Sequence, residues 1–310
     1  MVWLIVLLSV LGFCLLFTFG VALIAYLGAF YNGKRNPLDL SPIGGAQYEK
    51  YDTAPIINKA VEIPFEEVHT KSHDGLNLYG RYYHAKDGAT FSLQFNGYKG
   101  NGIRDMAGGL QLSLELGYNV LLVDQRAHGY SEGKTITFGI KERLDVISWV
   151  NYIKNRFGED TKIVIQGISM GGATVLMASD IVPENVVGII ADCPYSSPKE
   201  MLIRFMKVGM HLPAKFVYPF MYLGGLMFGH FRIKDSSALE SVKNAKVPIL
   251  IIHGDDDKLV PIEMSQQMYE SNKEMITFVK VHGAPHGLSF VQDYPLYRQS
   301  VIDFYKKNNL

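Results

Sequence analysis

Ser169 is the residue of this 310-residue chain best placed to do chemistry. It stands in "QGISMGG", residues 166–172, where the apolar run "KIVIQ" gives way to a helix-like run. Glycines at 167, 171 and 172 let a strand and a helix approach each other while the hydroxyl between them projects. The bland alternative is a serine that only caps a helix. A serine hydroxyl attacks an acyl carbonyl when a base takes its proton and an acid orients that base. Both follow in the chain. "ILIIHGDDDKLVP" carries Asp255, Asp256 and Asp257, and "ITFVKVHGAPHGLSF" carries His282 and His286. Taken singly, the aspartates read as a solvated turn and a lone histidine as a surface residue. The order serine, acid, histidine, each behind its own apolar run, is far more selective for nucleophilic acyl transfer.

Such groups meet only if the apolar runs are parallel strands, because ligands gather at the carboxyl ends of open parallel sheets. "TFSLQF", "NVLLVD", "KIVIQG", "VVGIIAD" and "VPILIIHG" alternate with helix-like segments over 103–116, 140–157 and 169–179. Ahead of them "EEVHT" and "LNLYGRYYHA" read as strands joined by a turn at His73-Asp74-Gly75. This predicts an α/β fold, a mostly parallel sheet with helices on both faces. The segment 194–240 is too long for an ordinary connection and is crowded with methionine and aromatic residues. It is expected to form a helical cap that packs on the core and lines an apolar substrate pocket, with Met206 and Met210 as substrate contacts.

The charges balance, 30 basic against 30 acidic, so nothing electrostatic points to nucleic acid. Two cysteines, Cys14 and Cys193, make neither a disulfide framework nor a metal-ligand spacing. Residues 1–33 contain no charged side chain, and Val2–Phe30 is almost continuously apolar, long enough to cross a bilayer. A membrane anchor over 1–33 is the reading, with a cleaved signal peptide as its rival. Lys34 and Arg35 follow directly and favour a cytoplasmic domain. The Pro- and Gly-rich stretch 34–60 reads as a linker and 61–310 as the catalytic domain. Deleting 1–33 is therefore expected to leave a soluble, active domain.

Over residues 65–305 the chain resembles the α/β-hydrolase superfamily, most of all its bacterial serine-aminopeptidase-like and monoacylglycerol-lipase-like esterases. The resemblance rests on "NGYKG", "DQRAHGYSEG", "GISMGG", "HGDDDKLVP" and "GAPHG". In the family pattern His-Gly-x-x-Asp-x-x-Val-Pro, Val260-Pro261 sets the register, which makes Asp257 the acid. The final-loop histidine matches His286 and leaves His282 aside. The resemblance also implies an oxyanion hole built from the backbone amides of Tyr98 and Met170. Asn96 stands where the family usually has histidine, and Ala127 where it often has glycine. His253 and His128 read as packing or loop residues. The implied activity is hydrolysis of carboxylic esters of lipid-derived or other small molecules, with neither metal nor organic cofactor. A peptidase or acyltransferase with the same three residues is the alternative. An inactive binding protein on the same fold is the rival from another class.

Overall fold

The computed structural model describes residues 1–41, 48–209 and 211–310. Met210, expected to touch substrate, lies outside the described residues. The apolar runs form eight strands: β1 (Glu66–Lys71), β2 (Asn77–Tyr83), β3 (Phe91–Phe95), β4 (Asn119–Val123), β5 (Ile163–Ile168), β6 (Val186–Asp192), β7 (Ile249–Gly254) and β8 (Ile276–Val281). They join in one sheet in the order β1-β2-β4-β3-β5-β6-β7-β8. The pairings of β1 with β2 and β2 with β4 are antiparallel, and those from β4 through β8 are parallel. Strand alternation sorts the core. Ile163 and Ile165 of β5 enter one apolar cluster, while Val164 between them enters the cluster on the opposite face.

The helices are α1 (Val2–Ala29), α2 (Ala54–Val61), α3 (Gly102–Asp105), α4 (Ala107–Glu115), α5 (Glu142–Phe157) and α6 (Met170–Ala178). After β6 come α7 (Pro198–Arg204), a π-helical turn (Phe205–Gly209), α8 (Ala214–Phe228) and α9 (Ala238–Val242). The chain ends with α10 (Ile262–Ser271), α11 (Ser289–Gln292) and α12 (Tyr294–Lys307). The segment 194–240 is thus helical, as expected of a cap.

The amino-terminal region, expected to divide into anchor and linker, is partly packed into the fold. α1 is long and apolar enough to cross a membrane. Its last turns, however, are part of the folded core: Ala22, Tyr26, Ala29 and the following Phe30 are buried. Phe30 meets Phe138 and Phe231 edge-on, at 5.9 and 5.1 Å between ring centres. Arg35 donates to the carbonyls of Gly129, Ser131 and Gly133. The end of the 34–60 stretch also lies in α2, whose Ile57 and Ala60 are buried. Helix α8 packs on α1 because Gly224 has no side chain. A Cβ there would stand 2.4 Å from the Ala22 carbonyl oxygen.

Candidate active site

Ser169 follows β5 directly and opens α6, with φ 53° and ψ −113°. A non-glycine residue held there costs on the order of 1–3 kcal/mol, which the surroundings must offset. The glycines explain how the turn closes. A Cβ on Gly171 would lie 2.2 Å from the Phe95 carbonyl oxygen, and one on Gly167 would lie 2.3 Å from the Gly171 carbonyl. The Ser169 amide donates to the Asp192 carbonyl at 2.8 Å, tying the turn to the neighbouring strand end.

The loops after β7 and β8 bring the other two residues to it. His286 Nε2 lies 2.8 Å from Ser169 Oγ, and His286 Nδ1 lies 2.6 Å from Asp257 Oδ2. The Leu259 and Val260 amides donate to the second oxygen, Asp257 Oδ1, at 2.9 and 2.7 Å. Burial alone would raise the Asp257 carboxyl, but hydrogen bonds from His253 and His286 outweigh it and hold it well below the usual carboxylate range. The competing candidates pair with each other elsewhere. His282 Nδ1 lies 3.0 Å from Asp255 Oδ2 with the histidine at the surface, and Asp256 bonds Lys258.

Three residues do more than the sequence indicated. His253 is fully buried, and its Nε2 lies 3.0 Å from the Val260 carbonyl oxygen and 3.2 Å from Asp257 Oδ2. A carbonyl only accepts, so Nε2 carries the proton and donates, while Nδ1 faces the Ser265 hydroxyl at 2.7 Å. His128 accepts the Lys99 amide at 3.0 Å and lies 2.8 Å from the Arg126 carbonyl oxygen through its other nitrogen. Burial pushes its imidazole down to about 4, so it is neutral. Asp192, at the end of β6, lines the same cavity as Ser169, and burial lifts its carboxyl to about 6. A carboxylate closing an otherwise apolar run, "VVGIIAD", was the only sequence signal for it.

The loop after β3 lies beside the serine, since a Cβ on Gly97 would be 3.6 Å from Ser169 Cβ. Asn96, where the family usually has histidine, is buried and bonded on both sides. Its Nδ2 donates to the Gly97 carbonyl at 2.8 Å, and its Oδ1 accepts the Gln125 amide at 3.0 Å. Ala127 has a φ of 60°, the left-handed region that explains why glycine often occupies that position. Among the described residues, no acceptor takes the backbone amide of Tyr98 or of Met170.

A cavity of about 230 Å³ opens beside Ser169, His286 and Tyr98. Its apolar wall comes from Ile56 and Ile57 of α2, Met106, Leu288, Phe290 and Val291. The cap was expected to supply this wall; among the described residues, none of 194–240 lines the cavity. Met206 in particular is fully buried in the main apolar cluster, together with Met221, Phe231 and Phe30. Buried at 0% exposure inside that cluster, Met206 presents no surface to the cavity.

Donor atoms of Cys193, Asp257 and His286 lie within 4.8 Å of one another. As a metal-binding set they fit poorly, because Asp257 and His286 already bind each other and burial pushes the Cys193 thiol well up.

Residues 97–226 match the alpha/beta hydrolase fold family, and residues 203–294 match a serine hydrolase (FSH1) family. The Bacillus subtilis protein YqkD is 30% identical over 64% of this chain and 66% of its own length. The lysophosphatidylserine lipase ABHD12 of Danio rerio is 26% identical over 50% of this chain and 40% of its own length. The chain therefore spans about two thirds or less of these curated relatives. Among solved structures, the esterase Pf2001 of Pyrococcus furiosus superposes with a TM-score of 0.65 at 26% identity, covering 86% of this chain and 98% of the esterase. With a mostly parallel eight-stranded sheet and a serine raised on a strand-to-helix turn, this chain belongs to the α/β-hydrolase superfamily.

Proposed function

We propose that the protein is a membrane-anchored serine hydrolase that cleaves carboxylic esters with apolar acyl groups. The observation that carries this reading is the unbroken hydrogen-bonded chain Ser169–His286–Asp257 at the edge of an apolar cavity. His286 takes the Ser169 proton as Oγ attacks the acyl carbonyl, and Asp257 holds the imidazole and stabilises its charged form. The Tyr98 and Met170 amides receive the developing oxyanion. His286 then hands the proton to the departing alkoxide, and the alcohol leaves an acyl-enzyme at Ser169. Water, deprotonated by the same histidine, releases the acid and restores the serine. Helix α1 tethers the domain to the bilayer, and that location together with a lipase among the relatives favours lipid-derived substrates.

A fluorophosphonate probe with p-nitrophenyl ester assays tests the reading. The wild type should be labelled and should turn over esters. Ser169→Ala should lose the label and lose on the order of 10⁴–10⁶ in kcat while keeping its melting temperature. Labelling or near-normal turnover in that variant rules the reading out.

A further inference from the structure

Besides the Asn96 bond to the Gly97 carbonyl, three longer-range ties hold the loop Gly97–Gly100. Asp105 accepts the Gly97 amide at 2.9 Å, and His128 accepts the Lys99 amide at 3.0 Å. Between them the Tyr98 phenol donates to the Ala29 carbonyl at 2.9 Å. The first two ties come from within the sheet domain. The third reaches the last residue of α1, where a helix leaves carbonyls without intrahelical partners.

That end of α1 is itself fixed in place. Tyr26 Oη lies 2.6 Å from Thr135 Oγ1, the Ile136 amide donates to the Phe30 carbonyl at 2.8 Å, and the Asn32 amide donates to the Lys134 carbonyl at 2.8 Å. The Tyr98 ring packs 5.2 Å from Phe138, which in turn meets Phe30. Burial pushes the Tyr98 phenol up to about 12, so it remains a neutral donor at working pH. Lys99 stands at φ 55°, a conformation that a free loop would relax.

We propose that the last turn of α1 positions the Tyr98 amide, so that the helix directed at the membrane is a working part of the oxyanion hole as well as a tether. The proposal rests on the reading of Tyr98 as an oxyanion donor. A donor held in place acts on the transition state, where charge collects on the carbonyl oxygen, far more than on the bound ester. Loosening the tie therefore lowers kcat and leaves KM nearly unchanged.

The test uses the full-length protein in detergent micelles, with p-nitrophenyl butyrate as substrate and an alkylboronic acid as tetrahedral analogue. Tyr98→Phe keeps the ring and the amide and removes only the phenolic oxygen. Its kcat should fall roughly tenfold, less than the loss of a whole donor, with KM within about twofold. Boronate affinity should weaken by the same factor. Tyr26→Phe frees the same helical turn at Thr135 without touching the loop. It should shift both quantities in the same direction, and the double variant should lose less than the product of the singles. Unchanged kcat and boronate affinity in Tyr98→Phe overturn the proposal. A rise in KM with kcat unchanged also overturns it, since Tyr98 would then be only a substrate contact. In both cases an inactive Ser169→Ala leaves the hydrolase reading standing, whereas an active one removes that reading itself.

Discussion

His253 and His286 share one oxygen: Asp257 Oδ2 lies 3.2 Å from Nε2 of the first and 2.6 Å from Nδ1 of the second. The carboxylate that orients the candidate base is therefore itself oriented by a second, fully buried histidine. His253→Asn should lower kcat roughly tenfold, about 1.4 kcal/mol of activation free energy, with KM little changed. Steady-state kinetics beside a melting curve checks this. A loss of stability with kcat intact would make His253 a packing residue only.

Asp257→Asn and His286→Gln should each cut turnover by about 10⁴ or more, because an amide favours the wrong imidazole tautomer and glutamine removes the base. Asp255→Asn and His282→Gln should stay within a few-fold of the wild type, since that pair bonds to itself at the surface. Ester assays on the four variants decide it. Severe losses at Asp255 with a mild effect at Asp257 would reverse the assignment.

The cavity wall makes a claim about substrate size. kcat/KM should rise from acetyl towards medium-chain esters, because each buried methylene contributes up to about 0.8 kcal/mol, and then fall once some 230 Å³ is filled. Ile56→Trp, in the wall, should move the optimum to shorter chains. Phe216→Ser, on the exposed face of α8, should leave the profile unchanged. An optimum that moves with Phe216 but not with Ile56 would return the pocket to the cap.

Truncation separates the span from the folded end of α1. Removing residues 1–18 takes away mostly exposed apolar surface and should preserve the melting temperature of the remaining protein. Removing 1–33 also deletes Tyr26, Ala29 and Phe30 from the core. Phenylalanine at a fully buried site is alone worth roughly 3–5 kcal/mol. The longer truncation should therefore be strongly destabilised or insoluble. Equal melting temperatures for the two would restore the simple anchor-and-domain division.

His128 gives a pH signature. Unfolded, its imidazole takes a proton near pH 6.5, and folded it does so only at about 4. Unfolding takes up a proton between those values, so stability falls as the pH drops through that window, by roughly 3 kcal/mol in all. Burial lifts Asp145 and Asp192 to about 6, and they titrate in the opposite sense, so the readout must be a difference. From pH 7 to pH 5 the wild type should lose stability relative to His128→Asn in thermal melts. Parallel curves would mean that His128 takes up its proton over the same pH range folded as unfolded.

The residues that could do chemistry were legible because their signals are local. A strand-to-helix turn that exposes a hydroxyl needs Gly167 and Gly171 within two residues of Ser169, and the strand ends that place Asp257 and His286 show as apolar runs followed by polar loops. The parallel sheet followed from the same runs. Tertiary structure alone decided what surrounds that chemistry. An apolar, Met-rich pattern over 194–240 says that a face is buried but not against what. The partner proved to be α1 and the main core, so Met206 packs inside while α2, from the expected linker, supplies cavity wall. The bond from Tyr98 to Ala29 spans 69 residues of sequence, and that from Tyr26 to Thr135 spans 109. Periodicity reports which side of an element is apolar. Which element covers it is chosen by shape and hydrogen-bond satisfaction between segments far apart in the chain, and that choice exists only in the folded molecule.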